Sequence, residues 1–138
     1  MATYTKFQNF VEDLCKGVHQ LHAAGHTCKV YLTNNTPSVS GDAVKADLAG
    51  ITEQNGYAAA DIQNDLSETG GTVTVTAVDV TITATGAVGP FQYAVIYNDD
   101  PTDPADPLIA YYDYGSEVTL ANGESFVVNF GASLFTLA

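Results

Sequence analysis

The sequence predicts a mainly β (α+β) protein: an antiparallel β-sandwich or barrel with an N-terminal α-helix, folded as a single domain over residues 1–138. Three observations favour this fold. Apolar residues recur at helical spacing over about residues 3–22. From Thr72 onward, short β-branched and aromatic runs alternate with turn residues, as they do in sandwiches and barrels. A chain of 138 residues, 46% of them hydrophobic, is also long enough to build one core.

The N-terminal segment carries a single apolar stripe. Gly25 follows the last apolar turn of this segment, which fits a helix stop. We therefore expect one amphipathic helix over residues 3–22 that covers a face or an open end of the sheets. The stripe consists of Phe7, Phe10, Val11, Leu14, Val18 and Leu21.

The middle of the chain is less regular. Residues 28–34 alternate apolar and polar side chains, as a half-buried strand does, and residues 34–41 are rich in turn formers. Residues 42–51 and 58–66 are each compatible with a short helix. The pair Gly70-Gly71 then marks a break.

The C-terminal half reads as strands and turns throughout. The apolar register shifts between Val75 and Val78, which predicts a turn or bulge near Ala77. The sequence Asn122-Gly123 is a turn signal. The predicted strands span residues 72–85, 91–97, 108–114, 117–120, 125–130 and 133–137.

Most of the aromatic residues lie in this half. Strand alternation places the odd-numbered residues from Phe91 to Tyr97 on one face and the even-numbered residues on the other. The neighbours Tyr111 and Tyr112 must point to opposite faces. One set of rings then fills the core and the other is available at the surface. Exposed tyrosines on a sheet are common at protein interfaces, although core packing explains most of them.

The charge balance excludes several functions. Sixteen acidic residues face four lysines and no arginine, giving a net charge of -12. Such a chain repels phosphate backbones, so we expect no binding to nucleic acid. The same charge resists self-association and would also suit salty surroundings. No apolar run is long enough to cross a membrane, and residues 1–14 lack an apolar signal region, so we expect neither an anchor nor a secretion signal.

The stretch YNDDPTDPADP at residues 97–107 is the segment most like a binding site. Its carboxylates supply the hard oxygen ligands that calcium prefers, but the spacing lacks the glycine and the closing glutamate of an EF-hand loop. Each proline restricts the preceding residue to extended geometry. We therefore expect a stiff, exposed connection between two strands rather than a calcium site. The candidate ligands are Asp99, Asp100, Asp103 and Asp106.

A second candidate metal site lies near the N-terminus. Cys15, His19 and His22 are spaced to share one side of the predicted helix, and His26 and Cys28 follow closely. Sulfur and imidazole suit zinc, but no zinc-finger spacing is present, so histidines beside the core or in solvent are favoured. The two cysteines are compatible with one disulfide, and two buried free thiols are favoured over it.

The motifs of common enzymes are missing from the sequence. All three histidines lie in the N-terminal segment, and no serine has a nucleophile-elbow context. The sequence contains neither a phosphate-cradling glycine loop nor an HExxH motif. We therefore expect a protein that is not an enzyme and that uses no cofactor and no metal.

Several motifs follow one another in a recognisable order. The stretch KFQNFVEDLCKGVH is followed by VYLTNNTPS, and residues 49–57 (AGITEQNGY), 89–98 (GPFQYAVIYN) and 108–130 (LIAYYDYGSEVTLANGESFVVNF) come later. Together they resemble a family of small virion structural proteins of tailed bacteriophages, over most of the chain. The sequence departs from that family at residues 58–71, where the family more often has a glycine-rich turn, and in the acidic loop 99–107.

The resemblance implies a virion component with no catalytic residues. The implied role is to decorate and cement the outer surface of the icosahedral capsid, with the major capsid protein as partner and a homo-oligomer, favoured as a trimer, as the bound form. The acidic composition fits an exterior location, away from packaged DNA. A tail or collar component, such as a tube or adhesin-type module, is the alternative. A carbohydrate-binding or small enzymatic module ranks third.

Overall fold

The computed structural model describes residues 3–138 and confirms a mainly β, sandwich-like fold with a short α-helix near the N-terminus. No helix in these residues is long and apolar enough to span a membrane. The helical elements are α1 (Gln8–Cys15) and a 3-10 turn at Lys45–Asp47. The strands are β1 (Thr3–Lys6), β2 (Cys28–Thr33), β3 (Ala60–Asp61), β4 (Asp65–Thr69), β5 (Thr72–Thr76), β6 (Val80–Thr83), β7 (Val88–Asn98), β8 (Leu108–Leu120), β9 (Ser125–Val128) and β10 (Phe135–Leu137).

Five strands form the main sheet, in the order β1-β8-β7-β2-β3, with every neighbouring pair antiparallel. The long strands β7 and β8 form its central hairpin, joined by residues 99–107. Leu32 of β2 lies opposite Ala94 of β7, which lies opposite Tyr112 of β8. This row continues to Tyr4 of β1. The row fixes which side chains face the second layer of the sandwich.

The second layer consists of a three-stranded sheet, β10-β5-β4, and the two-stranded pair β6-β9. Aromatic contacts hold this layer to the main sheet: the rings of Tyr112 and Phe130 are 6.0 Å apart, and those of Tyr4 and Phe135 are 6.3 Å apart. The two layers enclose the larger core. Its buried members include Phe10, Val30, Leu32, Ile62, Val75, Ile82, Val88, Phe91, Ile96, Ile109, Leu120, Val128 and Phe130.

The opposite face of the main sheet is also covered, by the chain that follows β2. The hydroxyl of Tyr31 donates to the backbone oxygen of Leu48 at 2.7 Å. The ammonium of Lys45 lies 4.7 Å from the ring centroid of Tyr97 and 5.2 Å from that of Tyr31, a cation–π arrangement. The central strands are therefore buried on both faces. This smaller core consists of Phe7, Tyr31, Leu48, Tyr93, Val95, Tyr97 and Leu108.

The prediction of one helix over residues 3–22 is wrong at both ends. The first four described residues form β1, because they pair with Ala110–Asp113 of β8, and tertiary pairing outweighs local helical spacing. The helix ends at Cys15, since Gly17 takes φ +78 and donates its N–H to the oxygen of Leu14. Gly25 is therefore not the helix stop. Residues 16–27 run as irregular chain.

Other boundaries also differ from the predictions. Residues 58–66 form no helix; Ala60 and Asp61 instead pair with β2, and the N–H of Ile62 bonds the oxygen of Cys28. Residues 42–51 contain only the 3-10 turn. The two strands expected at residues 108–114 and 117–120 are the single strand β8. A register shift between Phe91 and Tyr93 moves Phe91 to the face of Ala94 and Ile96, so the odd-numbered residues of β7 do not share one face.

Several turn predictions are confirmed. A break separates β5 from β6 at residues 77–79, the Gly70-Gly71 pair forms the turn between β4 and β5, and Gly123 occupies a turn with φ +87. The acidic proline-rich stretch does connect two strands, β7 and β8.

Candidate docking groove

A bulge in β8 opens the edge of the sandwich. The pairing of β7 with β8 passes from Tyr93 opposite Asp113 directly to Phe91 opposite Val118, so β8 carries extra residues between these two positions. Gly115 lies in that segment with φ +93, a conformation that other residues rarely adopt. The bulge therefore carries residues 114–117 into solvent and leaves space beside Tyr112.

Hydrogen bonds hold the bulge in place. The carboxylate of Asp113 accepts the N–H of Gly115 at 2.7 Å and the side-chain amide of Gln92 at 3.0 Å. At the C-terminal end of the bulge, the side-chain amide of Asn34 donates to the carboxylate of Glu117 at 2.9 Å. The bulge is thus tied to both β7 and the chain that leaves β2, which makes it a built part of the surface.

Beside the bulge lies an apolar groove of about 380 Å³. Its floor is the cross-strand row of Leu32, Ala94 and Tyr112 in the main sheet, and one wall is the run of residues 126–129 in and after β9. The small side chain of Ala94 leaves room over the middle of this row. The remaining lining residues are Phe91, Gln92, Tyr93 and Tyr114.

An aromatic series runs from the core to the mouth of the groove. The ring of Phe91 is buried and lies 5.0 Å from that of Phe126, edge to face. The ring of Phe126 lies 5.5 Å from that of Tyr114, which is 55% exposed. Val127 is 51% exposed at the same mouth. Large apolar side chains that are half in water and grouped around a cavity are typical of binding surfaces.

The groove is uncharged but has acidic surroundings. Burial raises the pKa of Tyr112, on the floor, to about 12, so this phenol is neutral at physiological pH. Asp113 and Glu117 lie on the bulge that borders the groove. None of the four lysines lines it among residues 3–138. Lys6 lies on β1 opposite Ala110, and Lys16 pairs with Glu12. Lys29 pairs with Asp99 at 2.9 Å, and Lys45 lies across the smaller core.

The four aspartates of the 97–107 stretch serve different local purposes. Asp99 forms the ion pair with Lys29, and Asp100 accepts the N–H of Thr27 at 2.8 Å. The backbone oxygen of Asp106 accepts the N–H of Lys45 at 2.9 Å, and Asp103 lies at the exposed turn of the loop. Within residues 3–138, no three His, Cys, Asp or Glu side chains come close enough to hold a metal ion. The structure therefore does not gather these carboxylates into a calcium site.

The cysteine and histidine cluster is also dispersed, because the helix that would align it ends early. Cys15 is exposed and Cys28 is buried, and both are free, so neither the bridge nor the pair of buried thiols is correct. His22 is exposed, whereas His19 is buried. The expected one-sided arrangement of Cys15, His19 and His22 is therefore wrong.

Two of the histidines meet at a residue that the sequence did not indicate. The buried amide nitrogen of Asn98 lies 3.1 Å from Nδ1 of His19 and 2.9 Å from Nδ1 of His26. With the amide of Asn98 donating to both, the Nδ1 atom of each ring is the acceptor. Asn64 anchors the same segment by donating to the backbone oxygens of Leu21 and His26 at 3.1 and 3.0 Å.

His19 is the most constrained member of this network. Its side chain is 8% exposed, its ring packs edge to face on Phe10, and its Nε2 atom has no hydrogen-bond partner among residues 3–138. Burial, with a smaller effect from the charge of His26, lowers the pKa of His19 to about 4. The imidazole stays neutral near pH 7 and is a structural group of the fold.

Comparison with known proteins identifies no relative. No family model matches the chain, and neither the curated proteins nor the solved structures give a match.

Proposed function

We propose that this chain is a non-enzymatic virion structural protein of a tailed bacteriophage that decorates the outer surface of the icosahedral capsid and bridges its subunits. The proposal starts from the order of motifs in residues 6–57 and 89–130 that resembles such proteins. The structural observation that supports it is the apolar groove open at the surface of an otherwise acidic domain. A built apolar site without charged groups in its lining suits docking onto another protein.

The mechanism is mass action. A protein that binds the assembled capsid lattice, and not the free subunits, stabilises the shell by the free energy of its own binding. A rigid sandwich suits this task, since little conformational entropy is lost when a preformed groove is filled. The major capsid protein is the proposed partner, and a trimer is the favoured bound form. The charge of -12 opposes self-association in solution, so we expect the oligomer to form on the capsid.

A tail or collar component is the second candidate, because the same sandwich with an open groove would serve as an assembly module there. Its copy number in the particle separates the two roles. A decoration protein occupies symmetry-related sites over the whole head, whereas a collar or tail component occupies far fewer.

The deciding experiment is quantitative mass spectrometry of purified virions, giving copies of this chain per major capsid protein. A ratio near one, or a simple fraction of one, is expected for decoration. A ratio far below that would move the protein to the tail or collar, and absence from the particle would overturn the virion role. A matched measurement compares the heat stability of particles with and without the protein, and decorated particles should survive to higher temperature.

A further inference from the structure

Strand β9 has a free edge. Among residues 3–138 it pairs only with β6, in a two-stranded sheet. The N–H of Ala84, which follows β6, donates to the backbone oxygen of Glu124, which precedes β9, at 2.8 Å. In an antiparallel pair, residues that face each other are hydrogen-bonded at every second position. The next hydrogen-bonded position of β9 is therefore Phe126, opposite Ile82. Ser125 and Val127 fall between the bonded positions. Their N–H and C=O groups therefore point away from β6, toward the unpaired edge.

This free edge borders the groove. Residues 126–129 line the groove consecutively, including the inward-facing Phe126 and the outward-facing Val127. Successive side chains of a strand point to opposite faces. Because Phe126 and Val127 both line the groove, the groove lies along the edge of β9 and not over one of its faces. A segment lying in the groove would thus meet unpaired backbone groups on one side and the row Leu32, Ala94 and Tyr112 beneath it.

The charges favour one class of occupant. Asp113 and Glu117 border the groove, the chain carries -12 overall, and no lysine lines the groove among residues 3–138. A second copy of this chain would bring the same negative charge and no arginine. A segment with apolar side chains between lysine or arginine residues would match both the lining and its surroundings.

We propose that the groove binds an extended apolar segment of a different protein, flanked by basic residues, which adds as a strand to the free edge of β9. This inference rests on the proposed function, in which that protein is the capsid subunit. Main-chain hydrogen bonds to Val127 supply the alignment, and alternate side chains of the segment enter the groove. The aromatic series Phe91, Phe126 and Tyr114 forms its apolar contact surface.

The test uses the purified chain of residues 1–138 and three synthetic peptides. The probe is the capped peptide KVTFTVK, in which alternate side chains are apolar and the ends are basic. The control EVTFTVE reverses the end charges, and KVPFPVK replaces two residues by prolines, which cannot donate to a strand edge. Titration followed by amide NMR should show KVTFTVK shifting the signals of residues 125–129. We expect it to bind at least about tenfold more tightly than either control.

Two matched variants locate the site. Val127→Lys and Val78→Lys each add one positive charge at a valine that is about half exposed, 51% and 52% respectively, but only Val127 lines the groove. Val127→Lys should weaken KVTFTVK binding by about tenfold or more. The substitution removes an apolar contact at the strand edge, and the new lysine repels the basic ends of the peptide. Val78→Lys should change it by less than about twofold.

The outcomes are separable. Equal binding of the proline peptide would overturn strand addition, and equal binding of EVTFTVE would overturn the basic partner. Absence of KVTFTVK binding, a concentration-dependent dimer that protects the Val127 amide, or preferential binding of small aromatic molecules would overturn the proposed occupant. None of these results depends on virions, so the docking mode can fail while the copy number still supports decoration. Likewise, the copy number can rule out decoration while the peptide still binds the groove.

Discussion

Acidification should destabilise the fold through His19. The pKa of this buried imidazole is about 4 in the fold, against about 6.5 in the unfolded chain. Its folded-state pKa is lowered, so between these values the unfolded state binds more protons, and stability falls as pH falls. A difference of one between the folded and unfolded pKa values corresponds to about 1.4 kcal/mol. Protonation of His19 should therefore lower the unfolding free energy by about 3 kcal/mol between pH 7 and pH 4.

The structure indicates why the fold opposes this proton. The amide of Asn98 donates to Nδ1 of both His19 and His26, so a proton on either Nδ1 would displace a hydrogen bond. A charged His26 also disfavours a charge on His19. The ring of Phe10 covers another side of His19 and offers no compensating charge.

The assay is urea unfolding followed by circular dichroism at a series of pH values, for the wild type and His19→Asn. Asparagine keeps an acceptor for the Asn98 amide and cannot take up the proton. The unfolding free energy of the wild type should fall by about 3 kcal/mol relative to this variant between pH 7 and pH 4. The exposed His22 supplies the control, since His22→Asn should follow the wild-type profile. Parallel profiles for the wild type and His19→Asn would refute the reasoning.

Three further predictions concern the core, the bulge and the thiols. Ile96→Ala removes a fully buried side chain and should cost about 2–5 kcal/mol in urea unfolding, whereas Val11→Ala on the exposed face of α1 should cost less than about 1 kcal/mol. Gly115→Ala should cost about 1 kcal/mol through backbone strain alone, because a methyl group there meets no neighbour within 4 Å; an unchanged stability would show that the bulge has another conformation. Iodoacetamide should label exposed Cys15 in the native protein, while Cys28, whose pKa burial raises to about 12, should label only after unfolding, as read by peptide mass spectrometry.

The local residue pattern predicts a strand correctly where the strand and the turn that ends it lie close together in sequence. The β-branched run from Thr72 and the break near Ala77 were predicted because alternation and turn chemistry are local properties. The spacing of residues 3–6 predicts a helix, whereas their partners in β8 are more than a hundred positions away in sequence. Pairing at such a distance leaves no periodic signal in the short strand itself.

The candidate site was less accessible to sequence reasoning for the same reason. The grouping of aromatics after Phe91 was visible, but the groove depends on a bulge that removes Tyr114 from the ladder and on a register shift that turns Phe91 inward. Gly115 within an otherwise strand-like run was the one local signal of the bulge. Asn98 gave no signal, because an asparagine beside an acidic loop resembles turn chemistry, whereas here it is buried between two histidines.

The burial of the main sheet restricts where a partner can bind. One face of the sheet packs against the second layer, and the other lies under residues 34–59, held by the bond from Tyr31 to Leu48 and by Lys45 over two tyrosine rings. Neither face can receive a partner without unfolding one of these layers. Contact with the main sheet must then occur at an edge or at a gap between the layers. The groove beside β9 combines both, since it exposes apolar side chains and unpaired backbone at one place. The half-exposed side chains of Tyr114 and Val127 lie at this place, where the proposed partner would cover them.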